Sequence, residues 1–345
     1  MQIHIDDVIQ IMFLYVIIYG ARKGWRRKLN KIKLGNTGLE VTELCFGALP
    51  IGPAQRNTPH EESAKVMALA LKSGITFFDT AQMYRTYEPI AMAMKETGIR
   101  PVISTKSAAA SYEDMDAAVK EALTKLDVEY IDIFFIHAAR AEADVFEQRA
   151  GALQCLLDYK KKGVIGFIGI SAHAVDIINK AAEREEIDIV FVIINMNGMG
   201  ILRGTKEEME RATEYCFEKG KGVMLMKVLA GGNILKDYVK AMEYAKGISK
   251  GRAVIALGMV SEKEVKSNVD YFSGKDISEY LATVAGDNKN MLVFKAICTS
   301  CRKCAEVCHS EAVTFEEGPA SIDAARCLKC GYCVTACPQF ALRFI

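Results

Sequence analysis

From residue 44 to residue 271 the chain alternates, eight times over, between a short uninterrupted apolar run and an amphipathic segment of helical period. The runs lie at 44–49, 75–79, 102–106, 131–137, 165–171, 187–195, 222–228 and 254–260. Helical segments follow, among them 61–73, 89–95, 111–126, 152–162, 206–219, 235–245 and 261–271. Runs such as Ile189-Val-Phe-Val-Ile-Ile194, with no polar alternation, mark strands covered on both faces, as in a parallel sheet. The 111–126 segment sets Met115, Val119, Ala122, Leu123 and Leu126 on one face behind a Ser111 N-cap, and Gly163 stands where the next helix needs a C-terminal cap. Eight such pairs over about 240 residues predict a (β/α)8 TIM barrel of the α/β class. A doubly wound sheet would want a Gly-x-Gly-x-x-Gly turn after an early strand, and the sequence has none. Ahead of the first run, Asn36-Thr-Gly38 between two short alternating segments predicts a hairpin.

At 345 residues, half of them hydrophobic, the chain has room for a barrel and one small domain. Its 44 basic and 43 acidic residues leave a net charge of +1, so no nucleic-acid partner is expected. Residues 1–30 form an N-terminal extension in which Val8 to Tyr19 is apolar apart from Gln10. It is shorter than the roughly 20 residues of a membrane span, and acids before it with bases after it reverse a secretory signal. Membrane contact is therefore not expected, and the expected compartment is the reducing cytoplasm. There, eight of the 11 cysteines crowded between 298 and 337 read as metal ligands, and Cys45, Cys155 and Cys216 as small buried hydrophobes.

Three strands end in groups a core would not choose: Asp79, Lys106 and His137, with Tyr84 five residues past the first. The carboxyl ends of barrel strands are where such folds place chemistry. A tyrosine, with a pKa near 10, needs a nearby cation to exchange protons at neutral pH, and Lys106, kept charged by Asp79, would supply it. His137 would hold a substrate oxygen. Taken singly, the acid and lysine also suit a structural ion pair and the histidine a satisfied core residue.

The segments Leu34-Gly-Asn-Thr-Gly-Leu-Glu-Val41, Phe78-Asp-Thr-Ala-Gln-Met-Tyr84, Ser104-Thr-Lys106 and Gly166-Phe-Ile-Gly-Ile-Ser171, with the strand ending in His137, resemble the aldo/keto reductase superfamily over residues 31–272. The resemblance implies nicotinamide-dependent reduction of an aldehyde or ketone, or the reverse oxidation of an alcohol. The family's catalytic Asp-Tyr-Lys-His set falls on Asp79, Tyr84, Lys106 and His137. Its cofactor contacts fall on Ser171 and on Asn268, an adenine contact, while Gly231 and Gly232 after the seventh strand and Ser261 at the start of the eighth helix fit the usual phosphate site of a barrel. The match is incomplete, with Ala172 for an asparagine, Ile193 for a glutamine and Met226 for an aromatic that stacks on nicotinamide. Glu264 replaces an arginine that clamps the 2′-phosphate, so NAD(P)H with NADH preferred is the expected cofactor. The same glutamate completes a Ser261-x-x-Glu264 capping box.

Behind a polar connector at 273–294, residues 295–345 hold Cys298-x2-Cys301-x2-Cys304-x3-Cys308 and, 29 positions later, Cys327-x2-Cys330-x2-Cys333-x3-Cys337-Pro338. Zinc sites rarely need three cysteines at this spacing plus a repeat. The pattern resembles bacterial two-cluster ferredoxins, small α+β domains holding two [4Fe–4S] clusters. The resemblance implies one cluster on Cys298, Cys301, Cys304 and Cys337 and the other on Cys327, Cys330, Cys333 and Cys308. His309 stands where a proline usually follows the fourth cysteine. Such clusters suit electron transfer and a redox partner protein docking at this domain, beside a small-molecule carbonyl or alcohol substrate in the barrel. The other function the sequence admits is an electron-transfer or redox-sensing subunit whose barrel no longer turns over nicotinamide.

Overall fold

The computed structural model describes residues 29–53, 55–284, 290–308, 310–327, 332–339 and 341–344. The apolar core of the N-terminal extension, His309 and Cys330 lie outside the described residues. The hairpin of β1 (Lys31–Lys33) and β2 (Glu40–Thr42) comes first, antiparallel around a 3-10 turn. Eight strands then close a parallel barrel: β3 (Leu44–Gly47), β4 (Phe77–Asp79), β5 (Val102–Ser107), β6 (Ile131–Ala138), β7 (Ile165–Ala172), β8 (Ile189–Ile193), β9 (Gly222–Met226) and β10 (Ala253–Gly258), with β10 returning to β3. The helices packed around them run over His60–Lys72, Tyr87–Thr97, Tyr112–Leu126, Ala150–Lys161, Val175–Glu183, Lys206–Glu218, Tyr238–Ser249 and Glu262–Phe272.

Alternation along each strand divides the apolar residues into two cores. Phe46, Phe78, Phe134 and Ile136 face the helices, while Cys45, Phe77, Phe135, Phe191, Met224 and Val254 fill the barrel. Several apolar runs outlast their strands. Leu49, Val228 and Val260 leave the ladder and line a cavity at the mouth, the ladder of β9 ending where Lys227 takes φ +57°.

The opposite end is plugged by the hairpin, whose Ile32, Leu34 and Val41 join the interior core. The Asn36 amide donates to the Gly220 carbonyl at 2.9 Å, and a Cβ on Gly35, at φ +55°, would lie 2.3 Å from the amide nitrogen of Gly222.

Beyond the barrel, β11 (Met291–Val293) pairs with β14 (Leu342–Phe344), and β12 (Val313–Thr314) with β13 (Ser321–Ile322), both antiparallel. The expected connector at 273–294 is therefore partly structured: it holds the helix Ser278–Val284 and β11, whose pairing ties it to the end of the chain. Cys304, Val313, Cys333, Val334 and Leu342 form one apolar cluster with Met199, Ala230 and Ile234 of the loops after β8 and β9. The small domain thus lies over the carboxyl mouth of the barrel, and Arg140, from the loop after β6, hydrogen-bonds the side chain and carbonyl of Gln339 across the seam. No helix among the described residues is long and apolar enough to cross a membrane.

Gly35→Ala combines a strained backbone with a backbone clash, so it should cost about 2–4 kcal/mol. A denaturant midpoint followed by circular dichroism should fall accordingly, and an unchanged midpoint would remove the hairpin from the barrel's closure.

Candidate active site

The inward face that carries Phe77 on β4, Ser104 on β5, Phe135 on β6 and Gly169 on β7 carries Asp79, Lys106, His137 and Ser171 two residues later, at the mouth. The strand register sets Asp79 against Ser104 and His137 against Ser171. Lys106, 1% exposed, donates to Asp79 Oδ1 and Oδ2 at 2.6 and 2.7 Å and to the Thr80 carbonyl at 2.7 Å. All three ammonium hydrogens have acceptors. The Ser104 hydroxyl donates to Asp79 Oδ1 at 2.7 Å. Burial pushes the Asp79 carboxyl up and the Lys106 ammonium down from their usual values, and their contact opposes both shifts.

Tyr84 ends a 3-10 turn, Gln82–Tyr84, after which Arg85 takes φ +52°. The turn is pinned on both sides. Gln82 donates to Glu121 and accepts from Ser107, each at 2.8 Å, and a Cβ on Gly52 would lie 2.2 Å from the Tyr84 carbonyl oxygen. The Lys106 ammonium lies 5.1 Å from the Tyr84 ring centre, and His137 meets that ring edge-on at 6.0 Å. Burial, aided by the Asp79 charge, holds the Tyr84 hydroxyl protonated well above the usual tyrosine range, with Arg343 acting the other way. The half-buried His137 imidazole is driven down to about 3 by burial and by Lys106, Lys227 and Arg149. At neutral pH the site holds a phenol and an uncharged imidazole, each able to donate a hydrogen bond. Tyr87, its neighbour, is committed elsewhere, bonded to Thr105 at 2.7 Å.

A cavity of ≈ 770 Å³ opens from Asp79 and Tyr84. Gly231, Gly232, Ser261 and Asn268 all line it, as does Met226. Ser171 and His137 are not among its lining residues, and Ser171 is 1% exposed. Asn268 is already engaged, its amide donating to the Glu264 carbonyl at 2.8 Å and accepting from the Tyr238 hydroxyl at 2.7 Å. An adenine would have to share it. The expected capping box is half formed. Ser261 accepts from the Glu264 amide, but the Glu264 carboxylate accepts from the Val260 amide at 2.7 Å, one residue before the box position.

The sequence reading missed Lys227, His173, Arg140 and Arg343 at the mouth. Lys227 Nζ lies 3.2 Å from His173 Nε2, and Arg343, on β14, lines the cavity with Tyr84. No local motif announces them, and Arg343 reaches the mouth only because the small domain packs there.

In that domain the Ala320, Ala312 and Ala341 amides donate to the sulfurs of Cys298, Cys308 and Cys337 at 3.4, 3.3 and 3.2 Å. Against burial, the Ser310 hydroxyl and the Ala312 amide hold the Cys308 thiol below the usual cysteine range, toward the thiolate that binds iron. Burial pushes the Cys304 thiol up, and the nearby Cys337 and Cys298 add to the shift. The residues present therefore fit iron–sulfur ligation. Among the described residues no three candidate ligands gather about a single ion.

The molecule is thus a parallel eight-stranded (β/α)8 barrel with a polar mouth and a cysteine-rich domain packed over it. The aldo/keto reductase family model matches residues 43–263, and a 4Fe-4S dicluster domain matches residues 297–341. The chain belongs to the aldo/keto reductase family, a family of oxidoreductases, and carries a 4Fe-4S dicluster domain. It is similar to an aldo-keto reductase of Glycine max (28% identity over 59% of this chain and 61% of that protein). It is also similar to L-galactose dehydrogenase of Arabidopsis thaliana (26% identity over 74% of this chain and 83% of that protein). The chain thus spans about three fifths of the length of the first relative. Among solved structures, the fold matches an aldo-keto reductase from Bacillus halodurans (TM-score 0.59, 19% identity, 75% of this chain and 96% of that chain).

Two outcomes are expected. Lys106→Met leaves the Asp79 carboxylate buried without its cation and should cost about 3–5 kcal/mol, much of it recovered in the Lys106→Met/Asp79→Asn double variant; urea unfolding of both would test this. His137 should show no titration near neutrality. The unfolded chain takes up a proton as pH drops through 6.5 and the folded chain only near 3, so this group withdraws stability as pH falls across that window. Imidazole NMR showing His137 protonated at pH 6 would overturn the assignment.

Proposed function

We propose that the chain reduces an aldehyde or ketone, or oxidises the corresponding alcohol, at Tyr84, with NAD(P)H as the hydride carrier and two [4Fe–4S] clusters for electron transfer. The observation that carries this reading is that one cavity is lined by the protonated Tyr84, by Asp79 with its bound Lys106 behind it, and by Gly231 and Gly232. Bound nicotinamide would supply the hydride, and Gly231, Gly232 and Ser261 are the residues that would hold its phosphates. As the carbonyl oxygen gains charge, Tyr84 gives it a proton and the imidazole of His137 donates a hydrogen bond to it. Lys106 then offsets the charge left on the phenolate, while Asp79 fixes its position. Because the resting hydroxyl is firmly protonated, the site is poised for reduction. An acid at 264 disfavours a 2′-phosphate, so NADH is the expected carrier.

The clusters would be held by Cys298, Cys301, Cys304 and Cys337, and by Cys327, Cys330, Cys333 and Cys308, and would pass electrons singly to or from a redox partner protein. Ligand thiols of this kind suit the cytoplasm. A second reading, an electron-transfer or redox-sensing subunit, is favoured by one observation: Ala172 and Ile193, where the family uses amide side chains on nicotinamide, are fully buried and apolar.

An anaerobic titration of the reconstituted protein with NADH and NADPH, following nicotinamide and cluster absorbance together, separates the two. Cofactor oxidation should require an added carbonyl and fall roughly 10²–10⁴-fold in Tyr84→Phe. Undiminished turnover in that variant would sink the assignment of Tyr84, and no cofactor binding with clusters intact would favour the second reading.

A further inference from the structure

Part of the cavity is walled by a segment that belongs to neither matched domain. The aldo/keto reductase match ends at residue 263 and the dicluster match begins at 297, and between them the connector helix Ser278–Val284 brings Tyr280 and Thr283 to the cavity. Its sequence places it there. Ile277 and Leu281, one turn apart, pack on the core outside the strands, and Tyr280 and Thr283, three apart, share the side that meets the cavity. The helix start is capped, the Asp276 carboxylate accepting from the Ser278 amide at 3.0 Å.

A lysine fastens this helix to the last helix of the barrel. Lys263, in the first turn of Glu262–Phe272, donates to the Thr283 hydroxyl at 2.7 Å, with its ammonium 5.9 Å from the Tyr280 ring centre. Lys263 lines the cavity too, as do Ser261, Glu264 and Asn268, whose spacing of three and four puts them on one helix face. Helices stand outside the ring of strands, so here the cavity has left the barrel mouth. An adenosine attached to phosphates on Gly231, Gly232 and Ser261 would lie against this wall.

Hydrogen bonding offers little to the base. The Asn268 amide already donates to the Glu264 carbonyl and accepts from Tyr238, and the Glu264 carboxylate accepts from the Val260 amide. Stacking is the other way to hold a purine, and it needs an accessible aromatic face. Tyr238 is 2% exposed, whereas Tyr280 is half-buried and lines the cavity.

We propose that the connector helix is the outer wall of an adenosine site, with adenine stacked on the Tyr280 ring and Lys263, through Thr283, holding that wall against the last barrel helix. This rests on the nicotinamide reading given above and adds binding residues from beyond the family match. Tyr280 would touch the carrier, and Lys263 and Thr283 are positioning residues. The segment that links the two domains is then also part of the carrier site.

Calorimetry on the full-length, cluster-loaded protein under anaerobic conditions tests this without turnover, with NADH, ADP-ribose and ADP as probes. Tyr280→Ala should weaken NADH and ADP-ribose alike by roughly 10- to 100-fold. Tyr280→Leu keeps apolar packing on the core, so a merely structural tyrosine would tolerate it; the same loss is expected there, and none in Tyr280→Phe. Lys263→Met and Thr283→Val should each weaken ADP-ribose, and the double variant no more than the worse single one, because both break one contact. Cluster content by absorbance keeps a folding defect from passing as a result. ADP-ribose affinity unchanged in Tyr280→Leu would overturn the proposal. ADP bound through Tyr280 more tightly than NADH, in a protein that reduces no carbonyl, would leave the adenosine site standing and the reductase reading fallen. Carbonyl reduction with an NADH affinity that ignores Tyr280→Ala would do the reverse. No binding of any probe would remove both.

Discussion

The buried contact between Asp79 and Lys106 is the interaction on which the mouth of the barrel depends. Two full charges at 1–4% exposure are stable only as a pair with every donor matched, and here the match is complete: two carboxylate oxygens and the Thr80 carbonyl for three ammonium hydrogens. The pair joins the ends of β4 and β5 and so fixes where the chain leaves β4. From there the turn to Tyr84 is held by Gln82 and by the lack of room at Gly52. The tyrosine is thus presented to the cavity on a short rigid tether from the charge pair that tunes it. A surface ion pair of the same length would contribute little and could position nothing.

Most of the barrel was legible because a strand buried on both faces leaves an unmistakable run, and because alternation alone puts Asp79, Lys106, His137 and Ser171 on one face. Strand ends were less legible. Apolarity continues past the ladder in Leu49, Val228 and Val260 because the mouth also needs apolar walls, and hydrophobic pattern does not separate the two uses. The capping motif at 261–264 misled in a similar way. Spacing says that a glutamate can fold back on the helix start, but not which amide it will meet, and here Val260 takes it.

What the sequence could not show is the relation between the two domains. Each has its own signature and each reads as self-contained, yet Cys304, Cys333 and Leu342 share a core with Met199, Ala230 and Ile234. That shared core is built from residues with no periodicity in common. Arg343 follows from it: in sequence it is one basic residue in a three-residue strand near the end of the chain, and in the fold it is the wall of a cavity more than two hundred residues away along the chain.

Docking the small domain on the barrel mouth has a consequence for electron flow. Hydride chemistry moves electrons in pairs and iron–sulfur clusters move them singly, so the two ordinarily need an intermediary. Here the groups that would hold one cluster approach the groups that would hold the substrate without a third domain between them. Arg343 stands on that boundary, carried by β14 of the small domain into the wall of the cavity that Tyr84 also lines, and burial pushes its guanidinium down to about 10.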